Sequence, residues 1–501
     1  MPHQLADRER FVVPAGSSEN FASKLSRPCF RLCLIMLLTL FASLPTLAQN
    51  IEARISVVSL TPPRVRVEVD RSSATKAWSF RNAYAGLLGL GERIEKLSFA
   101  DAQGAEIAAR KLAAGEYEAA REATKVSYEI RLDPPPASDA AAHVSWLTLA
   151  RGVLMLGDLL PLPSSRAKMK LSLPPDWKVA TLETQAADGR YEIENAESSI
   201  FFVGDDLRVS QSSVRGMEFN FAAAGEWPFV DRDATDIIGA ILKAHAERIG
   251  GVPRKSTLVL LAPFPAQANA GSWSAETRGG TVVFLSGRAA SKAVGLSRLS
   301  IPLAHELLHL WIPNGLALSG DYDWFYEGFT IYQSMRVSMQ LGELTFQDYL
   351  DSLARTFDNY LALQTQDNLS LPEASARRWS GSGALVYNKG ALVAALYDLS
   401  IRQHSHGKRS LDDVYRALFR QHQTGVEKRE GNAAVIDALD LVSEDKELSE
   451  RYLKGSHRLD LATALEPYGL KVERVGMRTR IAVVASLTRA QRDLLRQMGY
   501  N

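Results

Sequence analysis

Between Ile51 and about Phe229, hydrophobic and polar residues alternate along the chain. The clearest runs are residues 64–69 and 168–173, in which every second side chain is apolar. This period of two places apolar side chains on one face of a β-strand and polar side chains on the other. Strands with one wet face are typical of antiparallel sheets. The pattern therefore predicts a β-rich N-terminal domain over residues 49–232, folded as an antiparallel sandwich or an open barrel.

Near residue 233 the spacing of apolar residues changes to that of helices. Residues 237–249 have the apolar spacing of an amphipathic helix, and the apolar run at residues 257–261 follows as a strand. A further strand is predicted at residues 281–285, and beyond residue 327 the chain is mostly helical, with glycines as breaks. We therefore predict a second domain over residues 233–445 and a C-terminal tail of helix and strand over residues 446–501.

One apolar run contains three ionisable side chains. Residues 301–311 are apolar apart from His305, Glu306 and His309, and burying such groups costs free energy unless they have partners. In a helix, residues four apart share a face, so His305 and His309 can direct ring nitrogens at one point. A His-Glu-x-x-His match can arise by chance, but two histidines and a glutamate on an otherwise apolar helix favour a metal site.

Glu327 is the leading candidate for a third ligand. It lies among aromatic residues 18 positions after His309 (327 − 309), where Asp323 could cap a second helix. A catalytic zinc site takes three protein ligands and leaves the fourth position to water. Glu306 would act as the general base on that water. The sequence predicts one Zn²⁺ ion held by His305, His309 and Glu327, with Glu306 as a catalytic residue.

These residues resemble a known group of enzymes. Residues 305–311 together with residues 324–330 resemble the gluzincin metallopeptidases, in which a glutamate on the next helix is the third zinc ligand. Trp311 and Asn314 are similar to residues of the M1 aminopeptidases. Residues 327–332 are similar to both the M1 family and the M61 family, the glycyl aminopeptidases.

A tyrosine further along the chain belongs to the same resemblance. Residues 387–390, Tyr-Asn-Lys-Gly, resemble the Tyr-x-Lys-Gly segment of both families. The resemblance implies that Tyr387 donates a hydrogen bond to the oxyanion of the tetrahedral intermediate, a role that a phenol in a dry site can perform. The alternative is that Tyr387 is a core aromatic residue, because the surrounding stretch is apolar.

The chain departs from the M1 pattern in one important respect. It lacks the Gly-x-Met-Glu-Asn segment that holds the substrate amine in M1 enzymes, and residues 271–280 occupy the equivalent place. Glu276 is the candidate amine anchor in this stretch. The alternative is that Glu276 lies beside Arg278 in a solvated turn. The departure shifts the resemblance toward M61.

Composition and the N-terminal segment restrict the function further. The chain has 58 basic and 57 acidic residues without a basic stripe, so nucleic acid is not an expected partner. Residues 1–48 are predicted to be a signal peptide, since basic residues precede an apolar run at residues 32–44. That run is short for a membrane span, so we expect no stable span after cleavage. An uncleaved anchor is the alternative.

Both cysteines, Cys29 and Cys33, fall within the predicted signal peptide. The mature chain would therefore contain no disulfide, thiolate ligand or cysteine nucleophile. The expected location is the bacterial periplasm or the extracellular medium.

The combined prediction is an α+β fold. An N-terminal antiparallel β-sandwich precedes, as the resemblance implies, a thermolysin-like catalytic domain with a mostly helical C-terminal part. About 30 residues follow Leu470, so we expect no PDZ domain of the kind that M61 enzymes carry. The predicted function is an exported zinc metallopeptidase acting on peptides or proteins, with aminopeptidase activity favoured. A zinc endopeptidase and a catalytically silent zinc-binding scaffold are the alternatives, and the oligomeric state is left open.

Overall fold

Three large β-sheets precede a helical region in the computed structural model, which describes residues 50–163, 165–363 and 368–500. The predicted signal peptide at residues 1–48 lies outside the described residues. Across those three ranges, no helix combines the length and the apolar character that crossing a bilayer requires. The predicted α+β class, with a sheet-rich N-terminal part and a helical C-terminal part, is confirmed.

Alternating side chains build the first sheet. Val65, Val67 and Val69 are buried, whereas Arg66 and Glu68 between them are exposed. The sheet has nine strands. Eight of them are, in order across the sheet: Thr184–Gln185, Arg190–Ile193, Arg166–Ser172, Asn50–Leu60, Pro63–Ser79, Glu116–Arg131, Ile94–Ala100 and Glu106–Ile107. The ninth, Ala109–Ala113, pairs with Glu116–Arg131.

The sequence predicted a wholly antiparallel first sheet, but one pair of its strands is parallel. Asn50–Leu60 pairs in parallel with Arg166–Ser172, while the other neighbours in this sheet run antiparallel. Alternation reports which face of a strand is wet, and it carries no information on the direction of the neighbouring strand. A long connection separates these two strands, which permits the parallel crossover.

A second sheet completes the predicted sandwich. Phe201 and Val203 pack into one core with the first sheet, while Ile200 and Phe202 on the opposite face enter a different core. The open-barrel alternative is therefore wrong. The four antiparallel strands of the second sheet are, in order: Lys178–Ala180, Ile200–Gly204, Arg151–Met155 and Trp146–Leu147.

A third, mixed sheet lies between the sandwich and the helices. Leu258 and Leu260 pack on the second sheet, whereas Val259 and Leu261 pack on the helices. Burial on both faces explains why this strand is a continuous apolar run. Its five strands are, in order: Arg208–Val214, Met217–Ala223, Ser256–Pro263, Thr281–Ser286 and Trp273–Arg278.

The third sheet contains strands from both sides of the domain boundary predicted at residue 232. Arg208–Val214 and Met217–Ala223 precede that boundary in the sequence. Met217–Ala223 nevertheless pairs with Ser256–Pro263, and Arg208–Val214 pairs with Met217–Ala223. The change from strand to helix periodicity marks the first helix, and sheet membership is decided by pairing across the chain. The third sheet, on which the helices pack, therefore begins before the first helix in the sequence.

Helices cover the far face of the third sheet and share one apolar core with it. The first of them ends at Gly250, which adopts the left-handed conformation that glycine tolerates best. The longer helices are: Asp231–Ile249, Lys292–Leu308, Thr330–Gln340, Phe346–Leu361, Leu371–Ala376, Gly383–His404, Leu411–Gln421, Gly431–Ser443 and Arg489–Gln497.

The C-terminal tail packs back on the body of the protein. It contains a hairpin of Leu470–Val475 and Arg478–Val483 before the last helix. Leu494 and Leu495 of that helix are buried in the helical core, and Arg336 Nη1 donates a hydrogen bond of 2.7 Å to the carbonyl oxygen of Met498. The tail is thus part of the helical layer.

Candidate metal centre

The helix Lys292–Leu308 carries the first two candidate residues, His305 and Glu306. Ser291 caps its N-terminus by accepting a hydrogen bond of 3.3 Å from the Val294 amide. The helix buries its apolar face in the helical core. His309 follows as the C-terminal cap residue and keeps helical dihedral angles, so its side chain still lies one turn beyond that of His305.

A single wide turn, Trp324–Phe329, carries Glu327. Its hydrogen bonds follow the π-helical pattern, which is rare and often occurs at functional sites. The predicted capping role of Asp323 is wrong, because its side chain makes no capping bond. The amide of Trp324 instead donates to Ser375 Oγ at 2.8 Å, and Asp323 is drawn to Arg378 at 2.7 Å.

His305, His309 and Glu327 form a compact triangle of potential ligand atoms. The two Nε2 atoms lie 3.1 Å apart, and Glu327 Oε2 lies 3.3 Å from that of His305 and 3.6 Å from that of His309. Zinc bonds of about 2.0–2.1 Å in tetrahedral geometry place ligand atoms about 3.3–3.4 Å apart. The three side chains therefore fit one zinc ion.

The hydrogen bond on the far side of His309 suits metal binding. Its Nδ1 lies 3.0 Å from the carbonyl oxygen of Ile312, which accepts a hydrogen bond and so requires the proton on Nδ1. The lone pair of Nε2 is then free to bind a metal ion. Such a bond commonly fixes the ring orientation and tautomer of a histidine ligand.

The electrostatics of the triangle favour positive charge. Burial disfavours the charged imidazole of His309, but Glu327, Glu306 and the Ile312 carbonyl together outweigh burial and raise the pKa of His309 to about 9. Burial acts against ionisation of Glu327 as well, yet the two histidines and Arg378 hold the pKa of its carboxyl well below the usual range. A buried carboxylate beside two imidazoles is a donor set suited to a divalent cation.

Glu306 is a second carboxylate near the same histidines. Its ligand atom and those of His305 and His309 all lie within 4.8 Å of one another, which is looser than the triangle formed with Glu327. Thr277 Oγ1 lies 2.8 Å from Glu306 Oε2 and 2.8 Å from its carbonyl oxygen. The distances favour Glu327 as the ligand and leave Glu306 beside the metal position.

Tyr387 lies on the helix Gly383–His404 and joins the site through Arg378. Arg378 Nη2 donates a hydrogen bond of 2.5 Å to the Tyr387 hydroxyl oxygen and lies 2.9 Å from Glu327 Oε1. Burial and then the negative charge of Glu327 raise the pKa of Tyr387, so its hydroxyl keeps its proton. Tyr387 is thus half-buried, and its hydroxyl is hydrogen-bonded at the site.

Arg378 and Thr277 are the site residues that sequence reasoning missed. Arg378 follows another arginine just before a glycine-rich break, and Thr277 is one of several polar residues on an edge strand. Neither position has a spacing that relates it to the His-Glu-x-x-His segment. Only the folded chain brings the two residues to Glu306 and Glu327.

Glu276 is nearly buried, with 10% of its side chain exposed, and it already has bonding partners. It lies on the strand Trp273–Arg278, where its carboxylate accepts hydrogen bonds from Tyr84 at 2.5 Å and Arg278 at 2.6 Å and contacts His143 Nδ1. The solvated-turn alternative is therefore wrong. Burial opposes ionisation, but Arg278 and His143 prevail and lower the pKa of Glu276 to about 2.

The direction of the Glu276 side chain separates it from Glu306. Successive side chains of a strand point to opposite faces, and the next residue, Thr277, is the one that contacts Glu306. Glu276 points instead toward Tyr84 and His143 of the N-terminal region. The structure therefore brings His305, Glu306, His309, Glu327 and Tyr387 together, with Glu276 on the opposite face of the edge strand from Thr277.

Comparison with known proteins confirms the resemblance drawn from the sequence. Residues 317–393, which include Glu327 and Tyr387, match the profile of the M61 glycyl aminopeptidase family. A comparison with curated protein sequences gave no significant match.

Solved structures share the fold at low sequence identity. An aminopeptidase N family protein from Idiomarina loihiensis superposes with a TM-score of 0.72 at 18% identity, over 84% of this chain and 79% of that chain. The M1 zinc metallopeptidase from Deinococcus radiodurans gives a TM-score of 0.52 at 16% identity, over 84% and 97%. A mutant of the latter, bound to a Tyr-Ser-Ala substrate, gives 0.51 at 15% identity, over 82% and 94%.

Proposed function

We propose, from the match to the M61 glycyl aminopeptidase family, that this chain is a zinc-dependent metallopeptidase with a thermolysin-like catalytic domain. The observation that carries the proposal is the triangle of His305, His309 and Glu327, whose ligand atoms are 3.1–3.6 Å apart. Glu306 lies beside this triangle without being needed to complete it. That arrangement separates metal binding from proton transfer, as metal-assisted hydrolysis requires.

His305, His309 and Glu327 would hold one Zn²⁺ ion. The chemistry that zinc supplies when bound is Lewis acidity, which acidifies a water molecule and polarises a carbonyl group. Glu306 accepts the proton of the attacking water at its carboxylate and passes it to the leaving amine. Thr277 holds Glu306 by a hydrogen bond to Oε2, which limits the directions in which the carboxylate can face.

Tyr387 stabilises the transition state in the proposed reaction. Its protonated hydroxyl donates a hydrogen bond to the carbonyl oxygen of the substrate as that oxygen gains negative charge. Because the charge is greatest in the transition state, the bond increases the rate more than the affinity. Arg378 donates to the oxygen of the same hydroxyl, so the phenol hydrogen is directed away from Arg378.

We favour aminopeptidase activity, because the family profile is that of glycyl aminopeptidases and Glu276 could anchor a substrate amine. One observation supports a zinc endopeptidase as the second candidate. The Glu276 carboxylate already contacts Tyr84, His143 and Arg278, so a substrate amine would have to compete with them. A silent scaffold is disfavoured, since metal binding alone does not need the carboxylate of Glu306.

We also propose that the protein is exported to the periplasm or the extracellular medium. The support is the pattern of basic residues followed by an apolar run within residues 1–48. Peptides or proteins in that compartment would be the substrates. Fractionation of cells expressing the full chain, with the N-terminal sequence of the recovered protein, tests both export and cleavage.

The deciding experiment measures bound zinc and peptide hydrolysis together. We expect Glu306→Gln to retain stoichiometric zinc and to lose nearly all hydrolysis, because the ligand set stays intact while the base is lost. Glu343→Gln, which alters an exposed glutamate, should behave as the wild type. Cleavage of free-amine peptides alone indicates an aminopeptidase, and equal cleavage of amine-blocked peptides indicates an endopeptidase. Absence of zinc from the wild type would refute the proposal.

A further inference from the structure

We propose that Arg378 is a positioning residue that holds Glu327 as a one-oxygen metal ligand and ties it to Tyr387. The inference rests on the proposed zinc peptidase function and adds a residue that the sequence motifs do not contain. Arg378 lies in the short turn Arg378–Ser380, immediately before the helix that carries Tyr387. It touches the ligand and the phenol without needing to touch substrate.

The two oxygens of Glu327 have different partners. Oε1 lies 2.9 Å from Arg378 Nη2, whereas Oε2 lies 3.3 Å and 3.6 Å from the ring nitrogens of His305 and His309. A carboxylate whose first oxygen is held in this way presents the second oxygen alone to a metal ion. A zinc ion held by that oxygen and the two imidazoles would have three protein ligands, the number typical of a catalytic zinc site.

Asp323 fixes the guanidinium independently of Glu327. Arg378 Nη1 donates to Asp323 Oδ1 at 2.7 Å, and both side chains are nearly buried, with 12% and 8% of their surface exposed. The Arg378 Cζ atom also lies 4.5 Å from the ring centre of Trp379 and 5.3 Å from that of Tyr387. A planar fork with several donors can serve two carboxylates at once, which a lysine cannot do in the same geometry.

One nitrogen of Arg378 couples ligand and phenol. Nη2 donates a hydrogen bond to the Tyr387 hydroxyl oxygen and forms an ion pair of 2.9 Å with Glu327 Oε1. The distance between the metal ligand and the oxyanion donor is therefore set by a single rigid group. Without it, Glu327 would be free to turn Oε1 toward the metal, and Tyr387 would lose a fixed orientation.

The test compares Arg378→Gln with Arg377→Gln, its exposed neighbour in the same segment. We measure zinc affinity by competition with a chromophoric chelator and the visible absorption of the Co²⁺-substituted proteins. Loss of an outer-shell partner typically weakens metal affinity or activity by about 10–100-fold. We expect a change of that size in Arg378→Gln, with a weaker Co²⁺ absorption because a second Glu327 oxygen raises the coordination number. Arg377→Gln should match the wild type.

Chemical rescue separates positioning from folding. In Arg378→Ala, added guanidinium chloride at low millimolar concentration should restore part of the zinc affinity and kcat, because a free guanidinium ion can occupy the same cavity. If Arg378→Ala does not fold, Arg378→Lys keeps the charge without the fork and should still show the altered Co²⁺ spectrum. A folded Arg378 variant with zinc affinity and a Co²⁺ spectrum equal to those of Arg377→Gln would overturn the inference.

The same experiment distinguishes this inference from the proposed function. If the wild-type protein binds no zinc and cleaves no peptide, the proposed function itself is refuted. If the wild type binds zinc and cleaves peptides, and Arg378→Gln has normal zinc affinity and a normal Co²⁺ spectrum, only the role of Arg378 is refuted.

Discussion

Neighbouring charges affect both the protonation state and the orientation of the Tyr387 hydroxyl. Burial and the Glu327 carboxylate both oppose loss of its proton and raise its pKa, while Arg378 donates to its oxygen at 2.5 Å. The hydroxyl is therefore a neutral donor held in one direction. A donor in that state contributes little until negative charge develops on a nearby oxygen.

Replacing Tyr387 with phenylalanine removes the donor and keeps the ring. We expect kcat to fall by about 10²–10³-fold, the effect typical of losing one oxyanion donor, with KM and zinc content nearly unchanged. Steady-state kinetics and metal analysis check both values. Tyr397→Phe is the matched control, because Tyr397 lies on the same helix and bonds Ser449 at 2.7 Å instead. A Tyr387→Phe enzyme with wild-type kcat would exclude the proposed role.

At the scale of elements, two glycines set the spacing between the Glu327 turn and the Tyr387 helix. A Cβ atom on Gly390 would lie 2.7 Å from the carbonyl oxygen of Trp324 and 2.9 Å from the Cα of Gly328. A Cβ on Gly328 would lie 2.6 Å from the Cα of Gly390. Because all of these neighbours are backbone atoms, neither element can yield by a rotamer change. This contact gives a physical reason for the glycine that follows Tyr387 by three positions.

Alanine at position 390 should push these two elements apart. We expect Gly390→Ala to lower the free energy of unfolding by about 1–3 kcal/mol, as overpacking does, and to weaken zinc binding because Glu327 moves. Urea unfolding of the metal-free protein and chelator competition measure the two effects. Gly239→Ala serves as control: its Cβ would meet neighbours no nearer than 3.7 Å, so the free energy should stay unchanged or rise by about 0.5–1 kcal/mol. Equal stability of the two variants would contradict the packing argument.

At the scale of the whole molecule, Glu276 joins the N-terminal region to the third sheet. Its partners Tyr84 and His143 come from the N-terminal part, and Arg278 comes from its own strand. Arg278 also stacks on the Tyr84 ring at 4.0 Å and donates to the carbonyl oxygen of His143 at 2.6 Å. Removing one partner from a nearly buried charge network of this kind lowers the free energy of unfolding, because the remaining charge is left without compensation.

The pH dependence of stability should report this network. The pKa of Glu276 falls from an ordinary 4.5 to about 2 in the folded protein, so its ionised form stabilises the fold above pH 4.5. That stabilisation is lost as the pH falls from 4.5 toward 2, where the folded protein also binds the proton. We expect Glu276→Gln to lower the free energy of unfolding by about 3 kcal/mol at pH 7. The difference from wild type should shrink below pH 4.5.

Unfolding titrations at several pH values on metal-free protein provide the measurement. Glu226→Gln changes an exposed glutamate and should differ little from wild type at any pH. A difference between wild type and Glu276→Gln that stays constant from pH 7 to pH 3 would show that the ionised carboxylate does not stabilise the folded protein.

Local features of the sequence predicted the type of several elements and the candidate residues of the site. Helical spacing placed His305 and His309 on one face, and alternation identified the buried positions of the first sheet, because both depend on residues close together in the chain. The resemblance at residues 324–332 and 387–390 pointed to Glu327 and Tyr387, and the family profile over residues 317–393 confirmed that resemblance.

The tertiary structure alone decided which distant residues meet. Pairing across the chain set the parallel strand Arg166–Ser172 and brought Arg208–Val214 into the third sheet. It also buried Glu276 against Tyr84, 192 positions away, and placed Arg378 between Glu327 and Tyr387. Periodicity describes the faces of one element, whereas a contact between elements depends on how several of them pack, and no local spacing records that packing.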